Sequence, residues 1–438
     1  MEGEGNGWNA VSRDLICDRC FADEYLKGFI RENGAPGTCA YCDAEGEEIR
    51  CLPFDEVMEL IGEAVNWLYG NADNEGMPYE SGEAVFPESE MATWDVVDDI
   101  QLEVSERVLD DILAALPDQN WCRRGRLFSL SKEEVLRFGW QGLVEKVKYE
   151  TRYLFTLPDR KVPAVTESVA LLPDPAGAQT HNRLKLQPTW EDGGGAEIDD
   201  DSEDIPAHRM LDAIGDVVTR FDLVQVRLPG VIFFRVRVDD ASKSHATAAD
   251  LGPPPREKAT RANRMSPAGI VMFYGAFDRK TAIWETWDFK QTVWIAQFRS
   301  LRALRLLDLS QLPGIPSIYD QDHREEIAEL AFLHDFVEDL VKPIEQDSRE
   351  HIDYVPTQVV TEYFRHRFRM KEGEPLDGIL YRSSKYRQGV ACVLFIGSEH
   401  CGVPVDSIHR PEQILELLAG KTEILDPQSA LAQICRCD

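Results

Sequence analysis

Four cysteines in two pairs constrain this chain more than any other feature: Cys17-x2-Cys20 and, after 18 intervening residues, Cys39-x2-Cys42. A CxxC pair sets two thiolates on one tight turn, where both reach a single ion. Two such pairs complete a tetrahedral ligand set with no position left for water. Cys17, Cys20, Cys39 and Cys42 are therefore expected to hold a structural Zn²⁺. Gly34, Pro36 and Gly37, just ahead of the second pair, predict a sharp turn. A redox role is the weaker alternative, because no thioredoxin-like strand–helix–strand pattern surrounds the pairs. Cys51 is near enough to substitute as a ligand, but an ordinary buried thiol is the simpler reading. A closed four-thiolate site stabilises a module that lacks a large core, and performs no catalysis.

The remaining cysteines do not turn this into a disulfide framework. The chain is long, and its start, MEGEGNGWNAVSRD, has neither the basic region nor the apolar run of a secretory signal. No stretch approaches the roughly 18 apolar residues that cross a bilayer. A cytoplasmic location is the default expectation, with no membrane partner. Against 47 basic side chains stand 78 acidic ones, a formal charge of −31 that repels phosphate backbones at long range. Nucleic acid is not expected as the main partner, although a local basic site for an anionic dinucleotide is compatible with this charge. The acidity itself reads as a solvated surface. A basic partner protein is the sharper alternative.

Along the chain, residues 1–14 read as a mobile tail and 15–52 as the zinc-binding module. Residues 53–171 read as a helical N-terminal domain, 172–204 as an acidic Gly-rich linker, and 205–438 as a second domain. Val57, Leu60, Ile61, Ala64, Val65 and Leu68 form one apolar stripe and predict a helix over 54–69. A second helix is expected over 95–116. Ser131 and Glu134 give a capping pattern for a third, which is expected to break near Gly139 or Gly142. Beyond the linker a helix is expected over 206–221, short β-like runs at 231–238, 269–277 and 390–396, and helices at 322–341 and 357–370. Strands and helices do not alternate regularly, so the fold class is α+β.

In VIFFRVRV, Arg235 and Arg237 sit at alternate positions and so share one sheet face. The segment RANRMSPAGIVMFYGAFDRKTAIWE then carries Arg261 and Arg264, a turn at Pro267 and Gly269, Tyr274 ending a strand, and Glu285 on a helix after Thr281. This segment resembles the central signature of the RES domain: an arginine before a Pro/Gly turn, a tyrosine on a strand, and a glutamate eleven residues later. Arg264, Tyr274 and Glu285 match in order and spacing. FFRVR resembles the family's opening strand, which makes Arg235 its first functional arginine. YVPTQVVTEYF and LDGILYRSSKYRQGVACVLF resemble its closing segments, the second supplying Ser383, with Ser384 as the adjacent alternative. The match covers roughly 206–400. The N-terminal half is similar, more loosely, to a domain found before RES and HEPN domains; no basic-x4–6-His motif supports HEPN nuclease activity.

The resemblance implies an ADP-ribosyltransferase-like RES domain behind a zinc-ribbon-like module plus helices, and NAD as substrate. It implies cleavage of the nicotinamide–ribose bond by water or phosphate, as in bacterial toxins. In that reading Arg235 and Arg264 grip pyrophosphate, Tyr274 faces nicotinamide or ribose, Glu285 stabilises the ribosyl cation, and Ser383 anchors ribose or phosphate. Without a GxSxG elbow, Ser383 is not read as a nucleophile. Arg256 and Arg261 compete with Arg264 for phosphate. Transfer of ADP-ribose to a macromolecule and a non-catalytic interaction protein are the alternatives. An antitoxin or regulatory protein and a second copy of the chain complete the partner expectations. The reading requires the side chains of Arg264, Tyr274 and Glu285 to converge on one pocket.

Overall fold

The computed structural model describes residues 9, 11–75, 79–80, 83–84, 90–124, 131–152, 205, 207–238, 247–288, 290–342, 350–370, 373–403 and 412–427. Most of the expected tail and the whole of the expected linker lie outside these residues.

The N-terminal half opens with β1 (Leu15–Cys17), α1 (Glu24–Asn33), β2 (Ala35–Pro36) and β3 (Arg50–Pro53), the three strands forming a sheet in the order β1-β3-β2. It continues through α2 (Phe54–Leu68), β4 (Tyr69–Asn71), β5 (Tyr79–Glu80), β6 (Glu83–Ala84), α3 (Thr93–Asp99), α4 (Glu106–Ala115), β7 (Trp121–Arg123) and α5 (Lys132–Tyr149). The expected turn before the second cysteine pair is instead strand: Ala35 and Pro36 pair with Cys51 and Arg50. Helix α2 buries Val57, Ile61, Ala64 and Val65 as its stripe requires. That stripe closes a core with Ile16, Phe21, Leu26 and Ile30 from around the first cysteine pair, and Val108 and Ile112 from α4.

The single helix expected over 95–116 is two. Gln101 adopts a left-handed φ of 49°, and Ala22 donates its amide to the Glu103 carbonyl at 3.3 Å while Phe21 bridges to Val104. The break trades helical hydrogen bonds for pairing with the cysteine module. Helix α5 starts at Ser131 with both halves of the capping box formed, and does not break. A Cβ on Gly139 would lie 2.9 Å from Met210 Sδ, so the glycine there permits close helix packing instead of a kink.

The C-terminal half comprises α6 (Ala207–Arg220), β8 (Val224–Arg227), β9 (Ile232–Val238), α7 (Ala248–Leu251), β10 (Phe273–Ala276), α8 (Arg279–Thr286), β11 (Val293–Ser300) and β12 (Leu304–Asp308). After these come α9 (Ile327–Val341), α10 (Glu350–Asp353), α11 (Val355–Glu362), β13 (Gly378–Arg382), β14 (Val390–Leu394), β15 (Cys401–Gly402), β16 (Leu415–Leu417) and β17 (Glu423–Leu425). One sheet runs β15-β16-β11-β9-β10-β14-β13-β12-β8, with β17 added on β11; β12–β13 and β15–β16 are parallel pairs and the other pairs are antiparallel. The fold is α+β, as the irregular order of elements implied.

Helix α5 belongs to the same apolar core as α6, α9 and the π-helical turn that follows α11: Leu136, Trp140, Leu143 and Val147 pack with Met210, Leu333, Phe336 and Phe364. Conversely, Tyr319, from the loop after β12, is buried in the N-terminal core. The two halves of the chain therefore interlock.

Candidate functional site

Two constellations stand out. In the first, β1 and the short 3-10 turn after it present Cys17 and Cys20, and a turn at 40–42 presents Cys39 and Cys42. The four Sγ atoms lie within 4.8 Å of one another, with neighbouring pairs at 3.5 and 3.9 Å. Zn–S bonds of about 2.3 Å in a tetrahedron place sulfurs roughly 3.8 Å apart, so the donor set fits such an ion. The Tyr41 amide donates to Cys39 Sγ at 3.4 Å, and Tyr41 Oη donates to Asp111 at 2.6 Å, tying the ligand turn to α4. An N–H aimed at sulfur stabilises a thiolate. Cys51 sits opposite Cys17 in the strand pair β1–β3 and is a buried thiol outside the cluster.

The second constellation is a cleft of about 690 Å³ against β9, β10 and α8. Its described lining includes Arg235, Lys258, Arg261, Tyr274, Glu285 and Tyr381. The size is that of a small-molecule site. Arg235 projects from β9, donating to the Leu251 carbonyl at 3.1 Å and the Tyr274 carbonyl at 2.6 Å, with its guanidinium 5.1 Å from the Phe273 ring centre. Burial pulls its pKa down to about 10, so it is still a cation at neutral pH. No carboxylate among the described residues pairs with it. Such a group is costly to enclose unless an anion neutralises it.

Tyr274 is the second residue of β10, not its last, and shares a 2.8 Å hydrogen bond with the Ser266 hydroxyl. Burial pushes its pKa up to about 12, so the phenol is neutral. The turn that carries Ser266 is closed by Pro267 and by Gly269, whose φ of +86° suits glycine.

Glu285 stands on α8, which Asp278 caps by accepting from the Thr281 amide at 2.8 Å. A Cβ on Gly389 would strike Thr281 at 1.9 Å, so only glycine lets the β13–β14 connection approach the start of α8. That approach brings Ser383, nearly fully buried, to donate its hydroxyl to Glu285 Oε1. The Ser383 oxygen in turn accepts from the amides of Tyr386 at 3.0 Å and Lys385 at 3.3 Å. With its oxygen held by amides, the hydroxyl has one direction for its proton, the carboxylate. Ser383, not Ser384, makes this contact.

Arg264 is placed elsewhere. Its guanidinium donates to the carbonyls of Leu340, at 3.0 Å, and Lys342, at 2.6 Å, at the C-terminal end of α9. There it meets the negative end of the helix dipole. It is not among the described residues lining the cleft. The convergence required of three residues thus holds for Tyr274 and Glu285 and fails for Arg264, which overturns the reading in its three-residue form; the cleft that remains is built on Tyr274 and Glu285 with Arg235, Lys258 and Arg261 as its cations. Arg237 shares a strand with Arg235 but likewise does not appear in the described lining.

Sequence reasoning passed over Lys258, Ser266 and Tyr381. Tyr381 lay two residues before Ser383 in a segment already singled out, and strand alternation puts both on one face. Lys258 carried no local signal; only the folding-back of its segment places it.

Together these features define an α+β protein with a four-cysteine cluster that could hold a metal ion and a cleft whose described lining sets Arg235, Lys258 and Arg261 beside the Glu285 carboxylate. Family models match on both sides: HEPN/RES N-terminal domain 1 over residues 32–161 and the RES domain over 232–416. The chain belongs to the RES-domain proteins, with an N-terminal domain of the HEPN/RES type. That membership associates it in general terms with NAD-related, toxin-like function. No curated protein and no solved structure matches it. Among the described residues, no helix is long and apolar enough to cross a membrane.

Proposed function

We propose that the chain cleaves the nicotinamide–ribose bond of NAD, with water or phosphate as acceptor, and that the four cysteines bind Zn²⁺ as a structural ion. The observation that carries the first reading is the cleft in which Glu285, fixed by Ser383, faces a lining supplied with Arg235, Lys258 and Arg261. NAD is itself bipolar, a cationic nicotinamide ribose beside an anionic pyrophosphate, and this lining is its electrostatic complement.

The C1′–N bond breaks and its electron pair leaves with nicotinamide, which departs neutral. The ribosyl group left behind has oxocarbenium character. Glu285 keeps one oxygen free of Ser383 to hold a ribose hydroxyl, and its negative charge favours the developing cation over the ground state. Tyr274, neutral and fixed by Ser266, offers its ring face to nicotinamide or ribose. Water then adds at C1′ and loses a proton, giving ADP-ribose; phosphate addition gives the 1-phosphate. Ser383 is a positioning residue in this scheme. Arg264 holds the 263–266 turn against α9, and its expected phosphate role passes to other cations.

The test is incubation of the full chain with NAD, with and without phosphate, followed by identification of products. Free nicotinamide is expected from the native chain and not from Glu285→Gln. Intact NAD after long incubation, with any neutralising partner removed, would overturn the proposal in favour of a non-catalytic interaction protein. Label appearing on protein or nucleic acid would instead identify transfer to a macromolecule.

A further inference from the structure

We infer that β8 is a dimerisation edge: it pairs antiparallel with the β8 of a second copy of this chain, about a two-fold axis through Gln225, and joins the two large sheets edge to edge. Strand β8 closes one end of its sheet, and among the described residues its neighbour is β12 alone. The direction of its backbone groups follows from the register. Asp308 donates its amide to the Leu223 carbonyl at 2.8 Å, so these two residues face each other across hydrogen bonds. Antiparallel alternation then turns Gln225 toward Leu306 and Arg227 toward Leu304 in the same way. Val224 and Val226 fall between them, and their amides and carbonyls point away from β12. Among the described residues nothing bonds those groups. Edges of this kind are ordinarily blunted by lysine, proline, a bulge or a covering segment. Here the strand reads Val-Gln-Val-Arg, Val226 is 56% exposed, and Leu228 just beyond it is 75% exposed.

The edge is its own complement. A two-fold axis through Gln225 sets Val224 opposite the second copy's Val226, and Val226 opposite its Val224. The residues with free backbone groups therefore meet each other, and each pair exchanges an amide and a carbonyl in both directions. Facing valines also make a favourable cross-strand pair. Charge decides the direction. Asp222, exposed at the head of β8, makes no ion pair among the described residues, and Arg227, exposed at its end, has only a 4.0 Å approach to Asp308. Antiparallel pairing brings each Asp222 to the Arg227 end of the other copy, whereas parallel pairing would set like charges side by side. Beyond Leu228 the chain leaves the edge: Gly230, at a φ of +101°, donates its amide to the Ser300 carbonyl at 2.9 Å, on β11. The contact is thus confined to one short strand. Being isologous, it closes on two copies and leaves no edge for a third.

The test is the mass of the full chain in solution, by sedimentation velocity across a dilution series, for the native protein, Val226→Pro and Val226→Lys. The native chain should run at twice the mass of one copy and dissociate on dilution. Val226→Pro removes an amide that points outward, so the β12 ladder survives it. Val226→Lys places a charge where the side chain is already exposed. Each should weaken the dimer by roughly tenfold or more, the scale of two lost hydrogen bonds, and thermal melts check that folding is retained. Should the proline variant fail to fold, the lysine variant and a cross-link decide. Gln225→Cys places two thiols across the axis, within reach of a disulfide. Under mild oxidation it should give a linked dimer on a non-reducing gel that the native chain, treated alike, does not give. A native chain that stays monomeric at every concentration, a dimer that survives Val226→Lys unweakened, or a dimer in which Gln225→Cys stays unlinked would each overturn the inference.

Discussion

At the scale of single residues, Glu285 and Ser383 form the pair on which the proposed chemistry turns. Removing the charge with Glu285→Gln keeps the shape and should lower nicotinamide release about 10²–10³-fold, the scale of losing one preorganised electrostatic contact. Ser383→Ala leaves the carboxylate charged but unheld, and a decrease in kcat of roughly tenfold to a hundredfold follows from its looser orientation. Ser384→Ala should leave activity near native; an equal loss there would contradict the assignment of Ser383. Tyr274 and Arg235, at about 12 and about 10, do not change protonation near neutrality. Between about pH 6 and 9, kcat/KM should therefore show no limb from either group. Arg264→Gln tests a different claim. If the guanidinium caps α9, the variant should lower the melting temperature; a loss of catalysis at unchanged stability would return Arg264 to the phosphates.

At the scale of elements, the cysteine module is a sheet of short strands whose core continues into α2 and α4. Its strand ladders support it weakly, because three-residue and two-residue strands make few hydrogen bonds, and its stability rests on the shared core. Metal bound by the four thiols would add to that stability. Cys39→Ala, or chelation of the bound ion, should lower the stability of the N-terminal half by several kcal/mol and release zinc detectable with a colorimetric chelator. An N-terminal half that melts identically with and without chelator would exclude a structural ion. Capping chemistry explains why α5 was legible: Ser131 and Glu134 satisfy orphan amides locally, whatever the tertiary context. The break at Gln101 was not legible, because its cause is a bridge from Phe21 to Val104, far apart in sequence.

At the scale of the whole molecule, the notable contact is α5 on the C-terminal half. Trp140 meets Phe336 edge-on at 4.9 Å and donates to Asp339 at 3.1 Å. Glu329 on α9 is shared by Lys132 of α5 and Arg220 of α6, each at 2.7 Å. A largely buried carboxylate between two cations is strongly destabilising once a partner is lost. The halves should therefore stay together when the chain is cut by an engineered protease site within residues 172–204, and co-elute in gel filtration. Trp140→Ala removes a buried ring, a change that costs about 3–5 kcal/mol, and should release them. Separation of the cut native chain would show that α5 does not fasten the halves. Since α5 packs along α9 and Arg264 grips the end of α9, the N-terminal half also braces the turn beside the cleft.

Read without coordinates, the chain declared what depends on near neighbours: the CxxC ligand pairs, the α2 stripe, the capped start of α5, the α+β class, and the Tyr274–Glu285 spacing that carries the RES resemblance. Each is set by residues within a few turns of chain, where periodicity and side-chain chemistry act locally. Only tertiary structure decided that Ser383 faces Glu285, that Arg264 faces a helix end, and that Lys258 reaches the cleft. Those placements depend on where distant segments meet. A guanidinium takes whichever oxygen lies nearest in space, and nothing in its own sequence neighbourhood says whether that oxygen belongs to a phosphate or to a carbonyl 76 residues away.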